Sequence, residues 1–233
     1  MPRMEGQARI LAKNELKEVF SAIKDTKHEM RNKAILMMAF KVGLRAKEIA
    51  SITLSDVLTA SGKLTYSSAK LMSNSANSIK NSAKVSTKSK FESNDLRESF
   101  TLRSAVTKGS KVDSAYLASN ILRETILEYL PIRVEMFQRG EVDNLFLTKN
   151  GLAFSPTTMS QLFLAMSKES GVEFSSHSGR RTLCTNLVHK GLHIFDIQAI
   201  MRHSDISTTM LYYQKDERRL GDLMVDAQNG NGE

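Results

Sequence analysis

Cysteine occurs only once in the 233 residues of this chain, at Cys184. A disulfide framework and a cysteine-based zinc site each need several thiol groups, so the sequence excludes both within the chain. Scarce cysteine is typical of proteins that work in a reducing compartment. We therefore expect an intracellular protein with a cytoplasmic location.

Long apolar runs are missing too. No stretch reaches the roughly 18 consecutive apolar residues that a membrane span needs. The first residues also lack the apolar core and the small-residue cleavage site of a signal peptide. The sequence therefore predicts a protein that has no membrane partner.

Proline and glycine are few, with 3 and 12 copies, while hydrophobic residues make up 41% and charged residues 25% of the chain. These proportions are close to those of folded globular proteins. They exclude collagen-like, wholly disordered and mucin-like chains. The length fits one large domain or two small ones, and no linker-like segment marks a boundary.

Positive charge is in excess, because 33 Lys and Arg residues face 25 Asp and Glu residues, a net charge of +8. Nine basic and three acidic residues, a net of +6, lie within residues 67–111. Residues 67–89 are rich in Ser, Asn and Lys and show neither helical nor strand periodicity. We predict a flexible basic insertion at about residues 67–90, which is either an arm for nucleic-acid phosphates or a solvated excursion without a partner.

The remaining pattern predicts a mostly α-helical α+β fold with a small antiparallel β-sheet. Gly43, Pro131 and Gly191 are expected to end helices, while Asn14 and Ser155 are expected to cap them. The predicted helices cover residues 14–23, 30–42, 114–129, 155–166, 178–190, 193–202 and 205–211. The predicted strands cover residues 51–54 and 99–106.

Two basic residues in the first half of the chain are candidates for phosphate binding. Arg45 follows a glycine turn, and Glu48 stands three residues later, where it could hold the guanidinium group. Lys108 lies in a predicted hairpin turn whose tip is Gly109. Each signal is weak by itself, because cations at helix starts and turns are usually solvated.

Two motifs in the second half are more specific. His177 and Arg180 lie three residues apart at a predicted helix start, where free backbone N–H groups favour an anion. His203 precedes a short predicted helix that carries Tyr212 nine residues later. Taken singly, a histidine is more often a satisfied core group, and a tyrosine is more often a packing aromatic.

Taken together, these motifs resemble the tyrosine recombinase, or phage integrase, family over about residues 8–213. Residue order and the His-to-Tyr spacing agree with the family pattern. The resemblance implies a tyrosine recombinase catalytic domain-like fold. It also implies that six residues are catalytic: Arg45, Lys108, His177, Arg180, His203 and Tyr212.

For chemistry, the resemblance implies a site-specific recombinase of the kind that mobile genetic elements carry. The Tyr212 hydroxyl would attack a DNA phosphodiester and form a 3′-phosphotyrosyl link, while Arg45 and Arg180 would clamp the phosphate oxygens. Because the link conserves the bond energy, the reaction would need no ATP, metal or other cofactor.

The other three residues would move protons and support the phosphate. His177 would accept or orient the tyrosine proton, Lys108 would protonate the departing 5′ oxygen, and His203 would hydrogen-bond the phosphate. Rejoining to another strand requires four sites on two duplexes. The implied partners are therefore double-stranded DNA, a homo-tetramer on that DNA, and accessory DNA-bending or directionality proteins.

Several positions depart from the family pattern. Arg202 replaces the usual Gly, and Arg181 replaces a frequent His; both changes add positive charge. The segment between Arg45 and Lys108 is longer than usual, so Lys111 remains an alternative to Lys108. Tyr213 likewise remains an alternative to Tyr212.

The domain arrangement expected from this resemblance is simple. Residues 1–213 form a single catalytic domain, and residues 214–233 form a tail that docks either on a neighbouring protomer or on its own domain. The N-terminal core-binding domain of typical members is absent, so the chain is either a fragment or a minimal recombinase.

Two alternative functions remain open. A non-catalytic DNA-binding regulator could retain the fold, although such a protein would have no need of all six residues. A type IB topoisomerase-like enzyme would use similar chemistry on DNA that lacks a specific site.

Overall fold

The computed structural model describes residues 8–78, 91–102, 113–136 and 142–213, together with positions 221, 224, 225 and 228. Within these residues the chain forms ten α-helices, a short 3₁₀ turn at Ser93–Asp95 and two β-strands. The helices are α1 (Lys13–Ala22), α2 (Glu29–Lys41), α3 (Ala46–Ser51), α4 (Leu54–Val57), α5 (Ala60–Ser78), α6 (Asn120–Glu135), α7 (Pro156–Ser170), α8 (Ser176–His189), α9 (Ile194–Met201) and α10 (Ile206–Tyr213).

The two strands, β1 (Ser99–Leu102) and β2 (Asp113–Tyr116), pair in an antiparallel sheet. Ser99 lies opposite Tyr116, and Leu102 lies opposite Asp113. This small sheet within a mostly helical chain confirms the fold class expected from the sequence. Among the described residues, no helix has the length and apolar character needed to cross a membrane.

Helix α2 is at the centre of the hydrophobic core. Its residues Ile35, Leu36, Met38 and Ala39 are completely buried, as its unbroken apolar run predicts. Helices α6 and α8 both pack against it. A smaller cluster of Cys184, Val188, Ile197 and Met201 joins α8 to α9.

Several predicted helix boundaries are confirmed. Gly43 follows the last turn of α2 with a φ of +72°, a conformation that costs glycine little. Ser155 caps α7, with Pro156 at its first position. The cap of α1 was predicted wrongly, because α1 starts after Ala12, whose N–H donates to the Glu15 carboxylate at 2.8 Å.

Two predictions of strand and helix are wrong. Residues 51–54 do not form a strand: α3 ends at Ser51, Thr53 forms one isolated bridge with Asn144, and α4 starts at Leu54. Residues 114–116 belong to β2 rather than to a helix, and α6 runs through Pro131 to Glu135 instead of ending there.

The prediction of a flexible insertion at residues 67–90 is wrong for its first part, because α5 continues to Ser78. This helix belongs to the fold: Tyr66 and Ala69 are buried. The fully buried Arg133 of α6 donates to the Tyr66 hydroxyl at 3.0 Å. Residues 79–90, the remainder of the predicted insertion, lie outside the described residues.

Candidate active site

The first part of the site is the turn from α2 into α3. The two carboxylate oxygens of Glu48 accept different donors of Arg45. Oε2 accepts the backbone N–H and Oε1 accepts the guanidinium, each at 2.7 Å. Glu48 is almost completely buried, whereas 42% of the Arg45 side chain is exposed. The expectation that Glu48 holds the Arg45 guanidinium is confirmed.

The first turn of α8 supplies two more groups, the exposed His177 and the buried Arg180. Gly179 between them allows α8 to approach α2 closely, because a Cβ there would lie 2.8 Å from the backbone of Ala39. Ser175 precedes the helix, and its N–H donates to the Ser178 hydroxyl at 3.1 Å. This confirms the predicted helix start at the His-Ser-Gly-Arg motif.

Arg180 ties three distant segments together. Its guanidinium donates to the carbonyl oxygen of Gly43 at 2.8 Å and to that of Met201, the last residue of α9. Arg202 also reaches the Gly43 carbonyl, at 3.1 Å. The turn after α2, the start of α8 and the end of α9 are therefore joined around two guanidinium groups.

His203 follows this junction and is held by α10. Its Nδ1 lies 2.8 Å from the hydroxyl oxygen of Thr209, which is fully buried in α10. The preceding residue, Arg202, has a φ of +52°, in the left-handed region that few side chains adopt. Glycine adopts this backbone conformation without strain, whereas arginine does not. The Arg202 backbone is therefore strained at a position where the side chain is buried.

The two adjacent tyrosines have different surroundings. The Tyr213 hydroxyl donates to the Leu192 carbonyl oxygen. The Tyr212 ring lies under the Arg181 guanidinium, with 5.9 Å between the Arg181 Cζ and the ring centroid. Burial raises the pKa of Tyr212, while Arg181 and Arg180 lower it. This arrangement favours Tyr212 over Tyr213 as the residue that faces the arginine cluster.

Positive charge is concentrated in this site. The nearby guanidinium groups of Arg45, Arg180 and Arg202 share one buried carboxylate, Glu48. Burial lowers the pKa of Arg180, and the charges of Arg45 and Arg202 lower it further. The Arg202 Nε is buried, and none of the described residues hydrogen-bonds to it. Such an arrangement attracts an anion.

The field of these arginines lowers the pKa of both imidazoles. Although its side chain is exposed, partial desolvation by the surrounding protein lowers the pKa of His177, and the charges of Arg45 and Arg180 add to the effect. Burial likewise lowers the pKa of His203 to about 4, with further contributions from Arg180, Arg45 and Arg202. Each ring can therefore accept a proton or donate through one nitrogen.

Five of the six residues singled out from the sequence thus come together: Arg45, His177, Arg180, His203 and Tyr212. Lys108 and its alternative Lys111 lie in residues 103–112, outside the described residues. The strand residue Asp113, which follows that segment, is close enough to Arg202 to influence its pKa.

Sequence reasoning missed two contributors. Thr209 contacts His203. The only feature of the sequence that could have indicated this contact is the position of Thr209, three residues before Tyr212 on the same helix. Arg202 was noted as additional charge, but its contact with the Gly43 carbonyl depends on a fold that brings residues 159 positions apart together.

A groove of about 430 Å³ opens beside the site, lined by residues at the starts of α3, α7 and α8, including Arg45, Ser160 and His177. The donors on this wall suit an anionic backbone. In the part of the chain that the structure describes, no three His, Cys, Asp or Glu side chains are grouped to hold a metal ion.

The chain is similar to known recombinases in sequence and in fold. The tyrosine recombinase XerD of Listeria innocua is 26% identical over 140 residues, which cover 58% of this chain and 46% of that protein. The crystal structure of XerA recombinase matches with a TM-score of 0.66 at 18% identity, over 97% of this chain and 66% of that chain. XerH site-specific recombinase, bound to its palindromic difH substrate after cleavage, matches with a TM-score of 0.60 at 15% identity, over 93% of this chain and 52% of that chain.

These structures share the fold of this chain, which confirms the expected fold class. The chain spans about half the length of the first curated relatives it matches. The family model described as the phage integrase family matches residues 9–219. Because that match covers most of the sequence, the chain belongs to the phage integrase family.

Proposed function

We propose that this chain carries the catalytic domain of a site-specific DNA recombinase, which cleaves and rejoins strands of double-stranded DNA through a 3′-phosphotyrosyl intermediate. The observation that carries the proposal is the convergence of two arginines, two histidines and Tyr212 from separate parts of the chain. The recombinase names of its relatives and the DNA-bound state of one similar structure support it.

Phosphate binding is the task of Arg45 and Arg180. Two carbonyl oxygens fix the orientation of the Arg180 guanidinium, which leaves further N–H donors for the non-bridging oxygens of a phosphodiester. Glu48 anchors Arg45 while much of its side chain stays exposed. The two cations would neutralise the charge that builds up on phosphorus in the transition state.

Cleavage starts from the Tyr212 hydroxyl. Its oxygen forms a bond to phosphorus while the bond from phosphorus to the 5′ oxygen breaks, and the neutral His177 accepts the phenol proton. Lys108, or alternatively Lys111, gives a proton to the departing 5′ oxygen. The position of Asp113 near Arg202 supports this role, because it brings one end of the lysine-bearing segment to the site.

His203 supports the phosphate as a neutral donor. When the Thr209 hydroxyl donates to Nδ1, the ring carries its proton on Nε2, the tautomer that can donate to a phosphate oxygen. A neutral ring adds a hydrogen bond without another full charge beside three guanidinium groups. We propose this tautomer for the site when it binds DNA.

Rejoining reverses these steps with the 5′ hydroxyl of another strand, so we propose that four copies assemble on two duplexes in the nucleoid. Residues 1–213 form one catalytic domain in this scheme. Met224 and Val225 of the C-terminal tail are 60% and 54% exposed, which supports their docking on a neighbouring protomer.

The test is a covalent trap. The protein is incubated with a pool of nicked duplexes of random sequence, from which a cleaved strand cannot rejoin, and adducts are separated on denaturing gels. We expect a protein-DNA adduct that is lost in Tyr212→Phe and kept in Tyr213→Phe. Sequencing of the captured DNA then gives the site.

The same experiment separates the alternatives. DNA binding without an adduct in any variant would indicate a non-catalytic regulator. Relaxation of supercoiled DNA with no preferred captured sequence would indicate a topoisomerase-like enzyme. An adduct that depends on Tyr213 instead would reassign the nucleophile.

A further inference from the structure

Arg181 lies beside Tyr212, the proposed nucleophile, and is not one of the three arginines grouped around Glu48. It follows Arg180 on α8, and its guanidinium covers the face of the Tyr212 ring at 5.9 Å from the centroid, within the range of a cation–π contact. The positive charge of Arg181 also lowers the pKa of the Tyr212 hydroxyl. One planar side chain therefore lies over the ring and influences the acidity of its hydroxyl.

The same guanidinium is hydrogen-bonded to the N-terminal segment. The Arg181 Nη1 donates to the carbonyl oxygen of Ala8. Three residues later, the Leu11 N–H donates to the hydroxyl of Thr182 at 3.0 Å, and the Leu11 side chain is buried. Residues 8–11 thus contact the second turn of α8, at the residue that lies over the Tyr212 ring and at its neighbour.

We propose that Arg181 is a positioning residue for Tyr212, and that residues 8–11 hold Arg181 in place. The proposal rests on the function proposed above. A planar guanidinium can lie over an aromatic ring while one of its N–H groups donates to a carbonyl oxygen. Release of residues 8–11 would remove the Ala8 carbonyl oxygen that holds the Arg181 guanidinium. The docking of this segment therefore controls the orientation of Tyr212.

The charge of Arg181 also affects the acidity of the hydroxyl. Burial raises the pKa of Tyr212, and Cys184 raises it further, whereas Arg181 and Arg180 lower it. From α9, which also packs against α10, the charged or titratable residues are Asp196 and the adjoining His193. Without Arg181 we therefore expect less phenolate at a given pH.

The experiment compares three variants with a matched control in the full chain. Arg181→Gln removes both the charge and the planar guanidinium group, whereas Arg181→Lys keeps only the charge. Thr182→Val removes the hydroxyl that accepts the Leu11 N–H and leaves Arg181 unchanged. Lys190→Gln, an exposed charge change at the residue that follows this helix, is the control. Tyr212 is titrated by ultraviolet difference spectra against Tyr212→Phe, and hydrogen exchange reports the docking of residues 8–12.

We expect about tenfold less Tyr212 phenolate at a given pH in Arg181→Gln, since a neighbouring cation shifts a pKa by about one unit or more. The rate of adduct formation should fall in parallel. Arg181→Lys should restore the titration but only part of the rate. Thr182→Val should speed exchange at residues 8–12 and lower the rate, while Lys190→Gln should change nothing.

Two results would overturn the proposal. If Arg181→Gln left the titration unchanged but weakened DNA binding and reduced its salt dependence, Arg181 would be a DNA phosphate contact. If Thr182→Val released residues 8–12 without any change in rate, the N-terminal segment would have no control over Tyr212. The titration needs no DNA, so it still reports on Arg181 if the protein forms no adduct and the proposed function fails.

Discussion

Arg180 donates a hydrogen bond of 2.8 Å to the carbonyl oxygen of Gly43, across 137 positions of sequence. Arg202 reaches the same oxygen at 3.1 Å. A single backbone carbonyl therefore fixes two of the three guanidinium groups of the site. The positive φ of Gly43 turns the chain out of α2 at the point where this carbonyl is needed.

Gly43→Ala should damage both stability and the site. The left-handed backbone costs a non-glycine residue about 1 to 2 kcal/mol, and the added Cβ would lie 3.1 Å from Leu183 and 3.2 Å from Met201. We expect a loss of about 2 to 3 kcal/mol in denaturant unfolding, together with loss of adduct formation.

The control for this variant is Gly171→Ala. Gly171 also has a positive φ, of +68°, but a Cβ there would meet nothing within 4 Å. It should lose only the backbone contribution, about 1 kcal/mol, and keep full activity. Equal losses of stability and activity in the two variants would show that crowding at Gly43 has no effect on the arginines.

Glu48→Gln should show how strongly the cations depend on one carboxylate. The amide keeps the shape and the backbone hydrogen bond but removes the negative charge that pairs with Arg45 and with the buried Arg202. We expect a loss of about 3 kcal/mol, as for a broken buried ion pair. The measurement is urea unfolding at neutral pH.

Glu128→Gln is the matched exposed change. Its partner Lys33 is 3.9 Å away, and 58% of the Glu128 side chain is exposed. Such a pair contributes less than about 1 kcal/mol. A similar small loss in Glu48→Gln would contradict a shared role of Glu48 in holding the cluster.

Tyr66→Phe tests whether α5 is an integral part of the fold. Removal of the hydroxyl takes an acceptor from the fully buried Arg133 guanidinium, which should cost about 1 to 2 kcal/mol. Tyr116→Phe, at a position that is 58% exposed, should stay within about 0.5 kcal/mol of wild type. If both variants unfolded like wild type, α5 would not be coupled to α6.

The site was more predictable from the sequence than the fold around it. His177 and Arg180 follow a readable helix start, and His203 and Tyr212 are linked by one short helix, so local pattern places each pair. Their meeting with Arg45 is a tertiary event, made possible by the close approach at Gly179. Only the family resemblance anticipated it.

The fold errors have local physical causes. Ile52 and Thr53 suggested a strand, but the Thr53 hydroxyl accepts the Asp56 N–H at 3.2 Å and starts α4. Helix α5 was not predicted because its sequence is mostly polar, and its buried face includes few residues, such as Tyr66 and Ala69. Pro131 stays inside α6, whose next turn is fixed by the hydrogen bonds of Arg133 to the Val142 and Asn144 carbonyls.

His203 should make the fold sensitive to acid. Its pKa is about 4 in the folded protein and about 6.5 in an unfolded chain. Between these values the unfolded state binds more protons, so stability falls as the pH drops from about 6.5 to 4. The loss should reach about 3 kcal/mol, and His203→Gln should lose less over the same range in urea unfolding.

An anion bound in the site should raise the lowered pKa of His203 part of the way back. Inorganic phosphate would offset the charges of Arg180, Arg45 and Arg202, which lower the pKa of His203 together with burial. We expect a phosphate-dependent rise of that pKa in an NMR titration of the ring, and a smaller rise in Arg180→Gln, where phosphate binds more weakly. Because burial is the largest cause, the ring should still titrate below 6.5 when phosphate is bound. An unchanged pKa at saturating phosphate would mean that the anion does not bind beside His203.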